Sequence, residues 1–112
     1  MTTYLPKIKK FKPRRTDPLE CKIEQAVCAY AKSKGIEHRK FKTPNRHSAP
    51  DQLFLLGDER VRFIEFKRKG EKPTPGQLRE HATLAELGYV VRVIDNIEAG
   101  KRLIDQWVML FK

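Results

Sequence analysis

Two apolar segments joined by a short turn restrict the possible folds of this chain more than any other feature. They cover residues 52–56 and 61–67, and Gly57-Asp58-Glu59 lies between them. Short apolar runs around a Gly-Asp turn are typical of a β-hairpin. Neither run alternates cleanly between apolar and polar residues, which indicates strands that are covered on both faces. The sequence therefore predicts a hairpin within a sheet that packs between helices.

The rest of the chain adds helices and strands to this hairpin. Apolar residues recur at helical spacing in three segments, 19–34, 77–88 and 96–111. Extended segments are predicted at 37–43 and at 89–94, and the second is β-branched like a buried strand. The order αβββαβα predicts one α/β domain with a mixed β-sheet flanked by helices.

The charge of the chain indicates a polyanionic partner. The 112 residues include 24 Lys+Arg and 14 Asp+Glu, which gives a formal net charge of +10. Such a balance favours nucleic acid through counterion release. No apolar run reaches the roughly 20 residues that span a bilayer, so we expect a soluble intracellular protein. Cys21 and Cys28 are predicted to be about 10 Å apart on one helix and therefore free thiols.

Residues 1–18 differ in composition from the rest. They carry basic residues throughout, a single acid at Asp17, and prolines at 6, 13 and 18 that interrupt any helix. This composition predicts a basic flexible N-terminal arm that contacts phosphates, followed by a folded domain over 19–112. A solubilising tail without a defined partner is the alternative interpretation.

Asp51 and Glu65 are predicted to meet at the open end of the hairpin. Residues equally far from Asp58 in the sequence lie opposite each other if the hairpin closes over this turn, and Asp51 then faces Glu65. Lys67 shares a strand face with Glu65 because alternate residues point the same way. A slip of one residue would separate the two carboxylates. Adjacent carboxylates repel each other, and Mg²⁺, which prefers oxygen ligands, would relieve that repulsion.

The same residues permit a purely structural interpretation. Asp51 could cap a turn, while Glu65 and Lys67 form an ordinary cross-strand charge pattern. Pro50 before the aspartate, the hairpin itself and the apolar segment 61–64 favour the metal site. Lys67 could orient or deprotonate an attacking water or stabilise charge in the transition state, and the pattern does not choose between these roles.

Several short motifs between residues 20 and 108 match a known family of nucleases. They are Ile23-Glu24, Lys40-Phe41, Ala49-Pro50-Asp51, Ile64-Glu65-Phe66-Lys67, Lys72-Pro73-Thr74-Pro75-Gly76-Gln77-Leu78 and Leu87-Gly88-Tyr89-Val90-Val91. Through them the sequence resembles the virus-type replication-repair nuclease (VRR-NUC) domain of the PD-(D/E)xK superfamily. The resemblance implies a restriction-endonuclease-like core. It also implies a cytoplasmic protein of a bacterial or phage-infected host cell.

The resemblance also implies the site residues. The catalytic set would be Asp51, Glu65, Lys67, Glu24 and Gln77, and the metal ligands Asp51, Glu65, Glu24 and the backbone carbonyl of Phe66. Mg²⁺ is the expected ion, with Mn²⁺ as a substitute. Glu20 competes with Glu24 for the role of helix carboxylate. Some related nucleases carry a tyrosine one turn after the glutamine, whereas this chain has His81, to which we assign no role.

Other charged and aromatic residues have simpler interpretations. Basic residues in two loops are candidates for phosphate contacts, or else a solvated basic face: Lys40, Lys42, Arg46, Arg68, Lys69 and Lys72. His38, His47 and His81 lack the spacing of zinc ligands and are predicted to be surface or loop residues. Trp107 is predicted to belong to the core.

These observations together predict a Mg²⁺-dependent DNA endonuclease that acts on structured or branched DNA in replication, recombination or repair. The resemblance extends to Holliday-junction resolvases, whose symmetric cuts require a homodimer. The alternative is a non-catalytic basic module that binds nucleic acid through charge alone. A restriction-type enzyme is a weaker alternative, because only the 68–76 loop has room to read bases.

Overall fold

The computed structural model describes residues 18–42 and 48–111. Its elements are α1 (Pro18–Ser33), β1 (Glu37–Lys40), β2 (Gln52–Leu55), β3 (Val61–Phe66), α2 (Pro75–Glu86), β4 (Val90–Ile94) and α3 (Ile97–Phe111). The predicted order αβββαβα is confirmed. Residues 1–17 of the predicted N-terminal arm lie outside the described residues, as do Arg46 and His47, whereas Pro18 is the first residue of α1.

The strands form one sheet in the order β1-β2-β3-β4. The first two pairs are antiparallel, and β4 is parallel to β3. A parallel neighbour requires a crossover connection, and α2 supplies it. The predicted mixed sheet is therefore confirmed. The end of β3, beside which β2 begins, lies next to the start of α2.

The hairpin register agrees with the sequence prediction. Gln52 lies opposite Ile64 and Leu55 lies opposite Val61, so the ladder is centred on Asp58. The turn is held by a hydrogen bond from the Arg60 N–H to the Gly57 carbonyl, 2.9 Å long. Gly57 has φ 88°, a left-handed conformation that glycine adopts without steric cost.

The hydrophobic core lies between one face of the sheet and the helices α1 and α3. Phe54, Ile64 and Phe66 of the hairpin are fully buried there. Trp107 packs its ring 5.6 Å from that of Phe54 and is buried, as predicted. Tertiary burial of this kind, more than helix propensity, is what stabilises short helices.

The other face of the sheet is covered less completely than the sequence suggests. Helix α2 buries none of its residues, and Leu78 and Leu87 are more than half exposed. β4, predicted to be a buried strand, forms one edge of the sheet, with Arg92 and Val93 exposed. The β-branched composition indicates a strand correctly but does not distinguish a central position from an edge. No helix within the described ranges is long and apolar enough to cross a membrane.

Candidate active site

Asp51 and Glu65 come together where β2 begins and β3 ends. The Phe66 N–H donates a 2.7 Å hydrogen bond to Oδ2 of Asp51, which holds this carboxylate against β3. Glu65 is 2% exposed, although it is ionisable. Burial, and then the field of Asp51, raise the pKa of Glu65 from 4.5 to about 8. Burial also raises the pKa of Asp51, and Glu24 adds to that effect.

Helix α2 fixes the orientation of the Glu65 carboxylate. Gln77 donates a 3.0 Å hydrogen bond from Nε2 to Oε2 of Glu65. The amide of Gln77 is itself fixed, because its Oε1 accepts a hydrogen bond from the N–H of Thr74 at 2.9 Å. The Thr74 hydroxyl in turn accepts from the Gln77 N–H, which completes a capping box. The start of α2 therefore serves as a rigid support for Glu65.

Glu24 reaches the site from α1 and is held by two donors. Lys40 Nζ lies 3.0 Å from its Oε2, and Nε2 of Gln52 lies 2.6 Å from the same oxygen. Gln52 is buried, and its Oε1 is 3.2 Å from Nδ1 of His38. Glu24 thus enters the site as a carboxylate whose rotation is restricted.

Glu20 also belongs to the surroundings of the site, because its charge contributes to raising the pKa of Glu65. The choice between Glu20 and Glu24 as the helix carboxylate stays a prediction. The contacts of Lys40 and Gln52 single out Glu24 as the one whose orientation the sheet controls.

Lys67 follows β3 and is buried with its carboxylate neighbours. It is 8% exposed, and its N–H bonds the Ile94 carbonyl at 2.9 Å, which prolongs the pairing with β4. Its positive charge lowers the pKa of Asp51 and of Glu65, opposing the larger effect of burial. A buried lysine beside two carboxylates places a fixed positive charge at the point where they meet.

The donors in this site fit a hard divalent cation. Oε1 of Glu65 is buried without a hydrogen-bond partner, so a carboxylate oxygen is available at the centre of the site. No three His, Cys, Asp or Glu side chains within residues 18–42 and 48–111 stand together as a metal-binding group. The predicted ligand Glu24 therefore does not stand in one metal-binding group with Asp51 and Glu65. An ion held by Asp51 and Glu65 would complete its coordination from other donors, such as water and the backbone carbonyl predicted at Phe66. Mg²⁺ usually keeps several waters and needs few protein ligands.

The predicted phosphate contacts are distributed unevenly. Lys42, Arg68, Lys69 and Lys72 are exposed. Lys40 is also exposed, but its ammonium is paired with Glu24. Their contacts with phosphate stay predictions.

The structure corrects the expectation for two histidines. His38 and His81 are half-buried rather than on the surface, and His38 contacts Gln52 whereas His81 contacts Glu65. His81 stands four residues after Gln77, so the helix turns both side chains to one face. That spacing could have identified His81 from the sequence, whereas nothing in the sequence marks Gln52 as a partner of Glu24. Cys21 and Cys28 are free thiols, as predicted.

The raised pKa of Glu65 predicts an unusual pH dependence of stability in the absence of metal. The folded state holds this proton up to about pH 8, whereas the unfolded state releases it near 4.5. Folded protein binds the extra proton between these values, so the free energy of unfolding falls as pH rises through this window. The slope should approach about 1.4 kcal/mol per pH unit for one proton.

This prediction is checked by urea unfolding in EDTA at several pH values for wild type and Glu65→Gln. The free energy of unfolding of wild type, minus that of the variant, should decrease steadily from pH 5 to 8. Glu86→Gln, at an exposed position on α2, should show no such trend. A difference between wild type and Glu65→Gln that does not change with pH would contradict the burial effect.

Comparison with known proteins places these features in context. A protein of Acyrthosiphon pisum secondary endosymbiont phage 1, named "Putative nuclease p44", is 43% identical over 77 residues, which cover 69% of this chain and 83% of that protein. A solved structure described as "VRR_NUC domain" superposes with a TM-score of 0.70 at 30% identity, covering 77% of this chain and 94% of that one. A search against protein-family models finds no match.

Proposed function

Because this chain belongs to the VRR-NUC family of nuclease domains, we propose that it is a Mg²⁺-dependent DNA endonuclease that hydrolyses phosphodiester bonds in branched DNA. The observation that carries this proposal is the buried pair of Asp51 and Glu65 with Lys67 beside it. Burial of two neighbouring carboxylates lowers the stability of the folded protein in the absence of a cation. Buried ionisable groups with shifted pKa values are typical of functional sites. The net charge of +10 supports a polyanionic substrate.

Each residue of the site has a role that follows from its contacts. Mg²⁺ bound here would polarise the phosphoryl oxygen and lower the pKa of the attacking water. Asp51 and Glu65 would bind the ion, and Gln77 would keep the Glu65 carboxylate in one orientation. Lys67 would orient the attacking water or stabilise the charge that develops on the phosphate. Glu24, already oriented by Lys40 and Gln52, would hold water in the outer part of the site.

Paired symmetric cuts in a four-way junction require two sites, and the surface of α2 and β4 offers a face for a second copy. Leu78, Leu87, Tyr89 and Val93 are exposed there to between 40% and 68%. A groove of about 530 Å³ lies between α2 and β4. Exposed apolar patches of this kind mark protein interfaces. A twofold dimer through this surface would place two copies of the site in one particle and permit symmetric cuts.

Substitution of Leu87 should therefore separate the dimer. Leu87 is 68% exposed and follows the end of α2, so Leu87→Glu should leave the fold intact and introduce unpaired charge into the interface. Analytical ultracentrifugation should show wild type at twice 13.1 kDa and the variant at 13.1 kDa. Met109→Glu, at an 83% exposed apolar position on α3, is the matched control and should remain dimeric. A monomeric wild type, or a dimer that survives Leu87→Glu, contradicts this interface.

The function is tested by incubating the protein with a labelled four-way junction, a flap and a plain duplex, each with Mg²⁺, with Mn²⁺ and with EDTA. Metal-dependent cutting with paired symmetric nicks in the junction is the expected result. Cutting of the flap or duplex alone would retain the nuclease and change its substrate. Binding without cutting under every metal would favour a basic module that holds nucleic acid through charge, with binding that collapses as salt rises.

A further inference from the structure

His81 and Glu65 present two buried atoms to each other that have no other partner. Nε2 of His81 lies 3.7 Å from Oε1 of Glu65, and the two side chains are 13% and 3% exposed. Both atoms are buried and lack a hydrogen bond within the described residues. A separation of 3.7 Å is too long for a hydrogen bond. An unsatisfied buried polar atom costs about 1–3 kcal/mol, so one group bound between the two would relieve the cost of both.

The orientation of this pair is set by contacts on the other side of the carboxylate. Gln77 binds Oε2 of Glu65, and the capping box with Thr74 fixes Gln77. Oε1 is thereby turned towards His81, which lies on the same face of α2 one turn later. Two side chains of one helix thus lie on the two oxygens of one carboxylate. Gln77 donates a hydrogen bond to Oε2, and His81 lies 3.7 Å from Oε1 without a hydrogen bond.

We propose that Nε2 of His81 and Oε1 of Glu65 bind one divalent cation between them, so that the metal centre contains a nitrogen ligand. This proposal rests on the proposed function, because it adds a residue to the same site. With metal–ligand bonds of about 2.1 Å, two donors 3.7 Å apart subtend about 120° at one ion. A shift of about 0.7 Å would bring them to the right angle of an octahedron.

A histidine ligand has a consequence for the choice of metal. An all-oxygen site suits Mg²⁺, whereas imidazole suits Ni²⁺, Zn²⁺ and other late divalent ions. The affinity of this site should therefore rise from Mg²⁺ through Mn²⁺ to Ni²⁺ more steeply than two carboxylates alone would give. His81 is the source of that difference, so its removal should bring the affinities of the late ions closer to that of Mg²⁺.

The test uses the untagged full chain loaded with Mn²⁺ and measures nitrogen coupling to the metal by pulsed electron paramagnetic resonance. Wild type should show modulation from a directly bound nitrogen, and protein made with nitrogen-15 histidine should shift that modulation. His81→Gln, which keeps a polar side chain of good helix propensity, should lose it. Glu86→Gln, at an exposed position of the same helix, should keep it.

Titration calorimetry with Mg²⁺ and Ni²⁺ provides a second readout that does not depend on cleavage. His81→Gln should lose about tenfold or more of its Ni²⁺ affinity and much less of its Mg²⁺ affinity. Thermal unfolding in EDTA shows whether the variant folds, and His81→Asn serves as the second variant if it does not.

Wild type without nitrogen coupling, coupling that persists in His81→Gln, or equal losses for the two ions overturns the histidine ligand. Each of these results leaves the nuclease proposal unaffected. Conversely, nitrogen coupling in a protein that cuts none of the DNA substrates supports the ligand and argues against the nuclease. The two proposals therefore fail separately.

Discussion

Asp51→Asn should abolish cleavage while leaving the fold and DNA binding intact. The amide has nearly the size of the carboxylate, and its oxygen can still accept the hydrogen bond from the Phe66 N–H. It removes the negative charge that a cation would require at this point. We expect the rate of junction cleavage in Mg²⁺ to fall by about 10³-fold or more, because catalytic residues that act as a unit lose most of their effect when one of them is removed. Single-turnover cleavage of a labelled junction measures this directly.

Neither the stability of the protein nor its binding to DNA should fall in Asp51→Asn. Asp51 raises the pKa of Glu65, so neutralising it relieves a buried repulsion, and the melting temperature in EDTA should stay the same or rise. Binding to the junction should be unchanged or tighter, because one negative charge near the phosphates is lost.

Asp58→Asn is the matched control for the active-site substitution. Asp58 lies in the exposed hairpin turn with φ 50°, a conformation that asparagine tolerates. Its cleavage rate should equal that of wild type. If Asp51→Asn cut the junction within tenfold of the wild-type rate, the paired carboxylates would not be the centre of the reaction.

Gly100→Ala should destabilise the protein, although alanine is the better helix former. In the interior of an exposed helix this change stabilises by about 1 kcal/mol. Gly100 is buried where α3 crosses α1, and a Cβ at this position would overlap Cγ2 of Val27 and stand 3.2 Å from its Cγ1. Val27 is itself fully buried, and because protein interiors are close-packed its side chain can move only by displacing its neighbours. Overpacking costs about 1–3 kcal/mol, so the net change should be a loss of about 1–2 kcal/mol.

Two further variants distinguish steric overlap from a general effect of the substitution. Gly76→Ala, at the start of α2, brings a Cβ to 2.8 Å from the rotatable hydroxyl of Ser48 and otherwise only to ordinary contact distances, so it should be neutral or slightly stabilising. Val27→Ala combined with Gly100→Ala should cost less than the sum of the two single changes, with a coupling of about 1 kcal/mol or more. Chemical denaturation of wild type, Val27→Ala, Gly100→Ala and the double variant measures the cycle. Strict additivity would show that the helices separate freely at this crossing.

The features of the fold that could be predicted depend on local sequence patterns, and the tertiary contacts agree with those patterns. The apolar segments around Gly57 define the hairpin, and because side chains alternate along a strand, the burial of Phe54 and Ile64 fixes its register. That register brings Asp51 to Glu65, so the centre of the candidate site follows from the sequence. Gly35 and Gly88, with φ 84° and 93°, end the first two helices as their positions indicate.

The position of β4 and the exposure of α2 could not be read in the same way. A run such as Val90–Ile94 has the same composition in the centre of a sheet and at its edge. Leu78 and Leu87 follow a helical pattern whether the face they form meets the core, a second copy or water. Periodicity records that an apolar face exists, but its partner depends on contacts between distant segments.

The sequence by itself determined the order of the elements, the hairpin register and the meeting of Asp51 with Glu65, because each depends on spacing along one short segment. Only the tertiary structure decided which groups hold these carboxylates. Gln52 reaches Glu24 across 28 residues, and His81 faces Glu65 across a gap of 3.7 Å. Such contacts depend on the packing of α1 and α2 against the sheet, to which every buried side chain contributes, and no local pattern encodes that packing.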